Sequence, residues 1–123
     1  MRSSLYIFLF LLILVACKKN ETKPPEITIT SPLSTDSFYV ADSIKLDVTI
    51  EDVNLQSYKI ILSNAFTRVI YFKEEGLTDS TFFSINKNIF IDVAADTSVL
   101  LNVLGLDKNG NTGNANVTFK LKK

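Results

Sequence analysis

A chain of 123 residues with 13 basic and 13 acidic side chains has room for one domain and no cationic excess for nucleic acid. Histidine and tryptophan are absent, which removes the usual general base near neutral pH, the commonest metal ligand and the strongest sugar-stacking ring. A single cysteine excludes an internal disulfide, so packing alone must hold the fold.

Arg2 opens the chain with positive charge, and Leu5 to Val15 is an unbroken apolar run of eleven residues. As a helix, Leu5 to Cys17 would reach about 20 Å, short of a hydrocarbon core of roughly 30 Å. The pattern therefore predicts a secretory leader over residues 1–16 and not a membrane span. Leu14 fits poorly three positions before an ordinary leader cut, where small side chains are preferred. The four residues Leu14-Val15-Ala16-Cys17 resemble the lipobox of bacterial lipoproteins and match it at every position. That resemblance implies a diacylglycerol on the Cys17 thiol, cleavage between Ala16 and Cys17, and acylation of the new amino group. Cys17 would then be a membrane tether without a catalytic role, since two or three acyl chains anchor stably where one does so marginally.

Lys18 to Pro25 reads Lys-Lys-Asn-Glu-Thr-Lys-Pro-Pro, polar and closed by a proline pair that favours extended geometry. Eight such residues reach about 25 Å at roughly 3.1 Å each, so residues 17–25 are expected to hold the folded part close to the lipid. Lys18, Lys19 and Lys23 could add weak attraction to anionic headgroups. Charged residues just after the lipidated cysteine resemble the surface-export signals of Bacteroidetes lipoproteins, which are richer in acids. The expected location is the cell envelope, at the outer membrane, with the periplasmic and surface faces both open.

From Glu26 onward the dominant period is two, in segments rich in Val, Ile, Thr, Phe and Tyr. Ile27 to Ser31 reads as a short strand ended by Pro32. Ser43 to Glu51 sets Ile44, Leu46, Val48 and Ile50 on one face against Lys45, Asp47, Thr49 and Glu51, the mark of a half-buried antiparallel strand. Leu55 to Ser63 and Thr67 to Lys73 predict a hairpin around Asn64 and Ala65, with a break at Glu75-Gly76. Thr81 to Val93 holds one long or two short strands, with Asn86 to Asn88 as the interruption. Ser98 to Asp107 and Ala115 to Lys122 complete the set. Seven to eight strands in the 98 residues of 26–123 predict an all-β, immunoglobulin-like antiparallel β-sandwich. Ile27 to Pro32, Ile44 to Asp52, Leu55 to Ile60 and Leu106 to Asn111 together resemble bacterial immunoglobulin-like domains of the cadherin-like kind, frequent in Bacteroidetes lipoproteins. The resemblance implies a fold and supplies no activity.

Asp107, Asn109 and Asn111 space their oxygens as the start of an EF-hand loop does, but Thr112 and Thr118 replace the required Gly and Glu. Asn109-Gly110 is better read as a tight hairpin turn. In an immunoglobulin-like order, Asp52 and Asn54 would share one end with Asp107 and Asn109, which makes a calcium- or glycan-binding module the alternative function. Asp92 with Asp96 and Glu74 with Glu75 lack any partner that would split their pKa values, so no catalytic pair is assigned. The Asn20 and Asn116 glycosylation triplets carry no weight in so short a match. No metal site and no cofactor is expected.

Apolar excess is the remaining signal. Val99, Leu101 and Val103 oppose Leu100, Leu104 and Leu106 on one strand, and the hairpin adds Tyr71 and Phe72, although a sandwich sheet should show one polar face. Leu100, Leu104, Leu106, Tyr71 and Phe72 are therefore the expected binding surface for an envelope protein or a second copy. The function expected is noncatalytic: a membrane-anchored lipoprotein acting in protein binding or assembly.

Overall fold

Ile44, Leu46, Val48 and Ile50 are fully buried while Lys45 and Glu51 face solvent, so the alternation read from the sequence is the alternation of the folded strand. The computed structural model describes residues 22–123. The leader, Cys17 and the first linker residues lie outside them. Eight strands follow in chain order: β1 Glu26–Ser31, β2 Ser37–Tyr39, β3 Ile44–Glu51, β4 Leu55–Asn64, β5 Ile70–Leu77, β6 Phe82–Ile89, β7 Thr97–Asp107 and β8 Thr112–Lys122. They form two sheets, β1-β3-β6 and β2-β8-β7-β4-β5. The chain is an all-β, immunoglobulin-like sandwich.

The core lies between the sheets. β3, Ile85, Ile89 and Ile91 meet Leu55, Ile60, Leu62, Val99, Leu101, Val103, Phe119 and Leu121. All these side chains come from residues 22–123, and no buried side-chain nitrogen or oxygen among the described residues lacks a hydrogen-bond partner. The body thus closes its own core. Lys87 of β6 reaches Glu74 of β5 at 2.8 Å and lies 5.5 Å from the centre of the Phe72 ring, bridging the two sheets along one open side.

Five strand expectations change in the structure. β2 was not foreseen: it pairs parallel to β8, and Phe38 packs edge-on against Phe119 with centroids 5.4 Å apart. One pair in the sandwich is therefore not antiparallel. β5 begins at Ile70, because the Asn64 side chain accepts hydrogen bonds from the Phe66 and Thr67 N–H groups and Arg68 takes a positive φ of 65°. The turn is thereby longer than Asn64-Ala65. β5 then runs through Glu75-Gly76 without a break, since Gly76 lies opposite Tyr58 and leaves room for its ring, which stacks on Phe83 at 3.7 Å. An added Cβ at Gly76 would stand 3.0 Å from the tyrosine oxygen. β6 crosses Asn86 to Asn88 uninterrupted, as an exposed edge strand can without hydrophobic alternation. β8 starts three residues earlier than expected, at Thr112.

Pro25, buried, fixes where the chain enters. Gly105 and Gly113 face one another across β7 and β8, and Pro25 fills the space that two side chains would occupy. A Cβ at Gly113 would collide with the Pro25 carbonyl oxygen, and one at Gly105 would stand 3.0 Å from the Pro25 ring and from Ile50. Glu26 pairs with Glu51 at this entry end, whereas the Lys123 N–H donates to Asp96 at the opposite end.

Candidate functional site: the outer face of the five-stranded sheet

Cross-strand register decides which side chains share the solvent face of the larger sheet. Four rows result, reading from β5 through β4 and β7 to β8. Leu77, Ser57, Leu106 and Thr112 form the first row, and Glu75, Lys59, Leu104 and Asn114 the second. Lys73, Ile61, Asn102 and Asn116 form the third, and Ser63, Leu100 and Thr118 continue the fourth. Leu100, Leu104 and Leu106 are half-buried on this face, as expected, while Val99, Leu101 and Val103 point into the core.

Tyr71 and Phe72 do not join them. Phe72 pairs with fully buried Leu62 and faces the core, and the register then shifts between Leu62 and Ser63, which leaves Tyr71 unpaired in the ladder and also packed against the core. A single bulged residue moves a strand's side chains to the other face. Tyr71 instead accepts a hydrogen bond from the Asn64 amide at 3.0 Å, and that amide also donates to Thr97. The five-residue surface expected from sequence is corrected to its three leucines.

Leu77, which the sequence reading passed over, belongs with them. It is 83 % exposed and flanks Leu106 across the small Ser57. Because Ser57 is short, the outer face dips between Leu77, Leu104 and Leu106 into an open depression of about 430 Å³. Its charged border is Lys59, 3.7 Å from Glu75, with Lys73 at 3.2 Å from the same carboxylate. The Lys73 ammonium beside it, helped by Lys59, holds the Glu75 carboxyl below its ordinary range against the opposing effect of desolvation. On the β8 side the border is the Asn102 amide donating to Asn116 at 2.6 Å. The site is thus an apolar floor inside a polar rim.

Asp52, Asn54, Asp107 and Asn109 do meet at one end, since the Lys108 N–H donates to the Asn54 carbonyl at 2.8 Å. Their carboxylates are turned to the backbone. Asp107 Oδ1 accepts the N–H groups of Asn109 and Asn111, its Oδ2 accepts the Asn111 amide, and Asp52 Oδ1 accepts the Asn54 N–H at 2.7 Å. Gly110, with φ at 83°, completes the hairpin turn expected at Asn109-Gly110. Among the described residues no three acidic or cysteine side chains gather in a group that could hold a metal ion.

Asp107 is fully covered by its own turn, and this makes its charge a stabilising element. Burial pushes its pKa up, but hydrogen bonds from the Asn111 side chain and from the Asn111, Asn109 and Gly110 backbone outweigh burial and hold it below 3.8. A lowered folded-state pKa means that the contribution is complete above the unfolded value and is lost as pH falls through the folded one. Asp107→Asn is therefore expected to be less stable than the parent at pH 7, with the gap closing as pH drops below about 3.8. Urea titrations at several pH values check this, and a gap independent of pH would contradict it.

No family model matches the chain, and no curated protein matches it. Among solved structures it is similar to the crystal structure of CopC from Methylosinus trichosporium OB3b, at 14% identity and a TM-score of 0.47, over 79% of this chain and 94% of that one. At that level the similarity transfers neither ligand nor activity.

Proposed function

We propose that the chain is a noncatalytic, lipid-anchored lipoprotein of the cell envelope whose sandwich docks a partner protein. The anchoring half of this reading rests on Leu14 to Cys17, the leader before them and the short linker after them. The binding half rests on one observation: the depression among Leu77, Leu104 and Leu106 on the open face of the larger sheet. An apolar floor with a hydrogen-bonding rim is the anatomy of a protein interface, where a buried centre contributes most of the affinity and the rim excludes water. The charged strand β5 beside it favours face-on docking over edge pairing, because Lys73 and Glu75 would meet any strand added there.

The test is a crosslinking pull-down from intact cells with the full chain carrying Leu104→Lys or Leu106→Lys. Both positions are on the solvent face, so the melting temperature is expected to stay close to that of the parent while the crosslinked partner is lost. A tenfold loss of affinity corresponds to about 1.4 kcal/mol, well within what burying a lysine at such a centre costs. Unchanged capture by both variants would dismiss the depression as the docking site. Light scattering on the purified chain tells a second copy from a different partner.

A further inference from the structure

Three loops gather where the chain enters the sandwich. The Asp52 N–H donates to the Thr81 carbonyl at 3.0 Å, the Thr78 N–H to Gln56 at 2.9 Å, and the Lys108 N–H to Asn54 at 2.8 Å. This ties together the β3–β4, β5–β6 and β7–β8 connections. Beside the linker at that end stand two bare apolar side chains: Val53, 68 % exposed, and Phe82, 46 %. Val53 and Phe82 line one groove together with Lys23 and Pro24, the residues through which the chain arrives. Single exposed hydrophobics are ordinary on any protein. A pair of them beside the attachment point of a short tether is a placement that a bilayer would use.

We propose that this end of the sandwich rests on the lipid surface, with Val53 and Phe82 entering the headgroup region. The inference rests on the lipid anchor at Cys17 put forward above. Pro25 is lodged over Gly105 and Gly113, so the linker leaves the body at a set point, and eight residues from Lys18 to Pro25 reach about 25 Å. An eleven-residue strand such as β7 is longer, at about 37 Å. The exposed Phe66, in the turn at the far end, therefore stays clear of the lipid while the entry end can settle on it. Tethering holds these side chains at high local concentration near the surface, so contacts too weak to bind a free domain suffice. Glu26, Glu51, Asp52 and Asp79 outnumber Lys23 and Lys108 around this end, which selects a zwitterionic surface over a strongly anionic one.

The chain contains no tryptophan, so Val53→Trp, Phe82→Trp and Phe66→Trp each create a lone reporter. The lipidated chain purified from membranes is placed in phosphatidylcholine vesicles. In parallel, the chain beginning at Cys17 is coupled through its thiol to a maleimide lipid in the same vesicles. The expected result is a blue shift of emission and quenching by brominated phosphatidylcholine at positions 53 and 82, with neither at position 66. Quenching at 53 and 82 no stronger than at 66 in the maleimide-coupled sample would overturn the docking face. If mass spectrometry finds no acyl chain on the natural protein yet the coupled sample shows the expected pattern, the docking face is supported and the acylation reading alone falls.

Discussion

Leu101→Ala is expected to lower the unfolding free energy by about 2–5 kcal/mol, the range for emptying a leucine-sized site in a packed core. Leu101 sits in the middle of the longer sheet, fully buried, with Leu62 on one side in register and Val117 on the other. It faces the β3 side chains of the second sheet across a core with no disulfide to share the burden. A domain of this size holds on the order of 5–15 kcal/mol in all, so one such cavity removes a large share. Urea unfolding followed by far-ultraviolet circular dichroism measures the loss. The neighbouring solvent-face position supplies the contrast: Leu100→Ala should cost clearly less, and equal losses at 100 and 101 would mean that the outer face is packed as tightly as the core.

The second large effect concerns location. Cys17→Ser is expected to move the chain out of the membrane fraction and to leave the leader uncut, because the acyl chains and the cleavage both depend on that sulfur in the lipobox reading. Cell fractionation shows the first change and intact-mass spectrometry the second. A Cys17→Ser chain that still sediments with membranes after its leader has been removed would separate membrane association from acylation and defeat the anchor. The folded body should melt at the same temperature with or without the substitution, since its core is built from residues 22–123.

What the sequence made legible was whatever one strand could say by itself. Ile44 to Glu51 alternates cleanly because one face meets the other sheet, and period two survives in the letters. The Asn109-Gly110 turn was readable for the same local reason, since a positive φ selects glycine. Features that need two strands at once were hidden. Three residues of β2 are too few to display a period, and their place beside β8 depends on Phe38 finding Phe119. Gly76 looks like a breaker until Tyr58 is known to lie across from it. Pairing with Leu62 set Phe72 inward and the bulge between Leu62 and Ser63 did the same for Tyr71, although their letters match those of an outward apolar pair.

The candidate site divides along the same line. Leu100, Leu104 and Leu106 could be named because a strand with apolar residues on both faces is unusual in a sandwich. Leu77 could not, because the break expected at Gly76 placed it outside any strand. The depression itself needs three strands, the short Ser57 of one lying between Leu77 and Leu106 of two others, and strand order is not written in any one of them.

Pro25, wedged over the paired glycines, also determines how the molecule bears load. β1 begins at the anchor side and runs away from it, bonded to β3 from Glu26 to Ser31. Ladder hydrogen bonds lie perpendicular to their strands, so a pull on the linker acts along β1 and strains them together, in shear, where a sideways pull would peel them one at a time. Under the anchoring proposed above, tension on the linker would be met by that whole ladder at once.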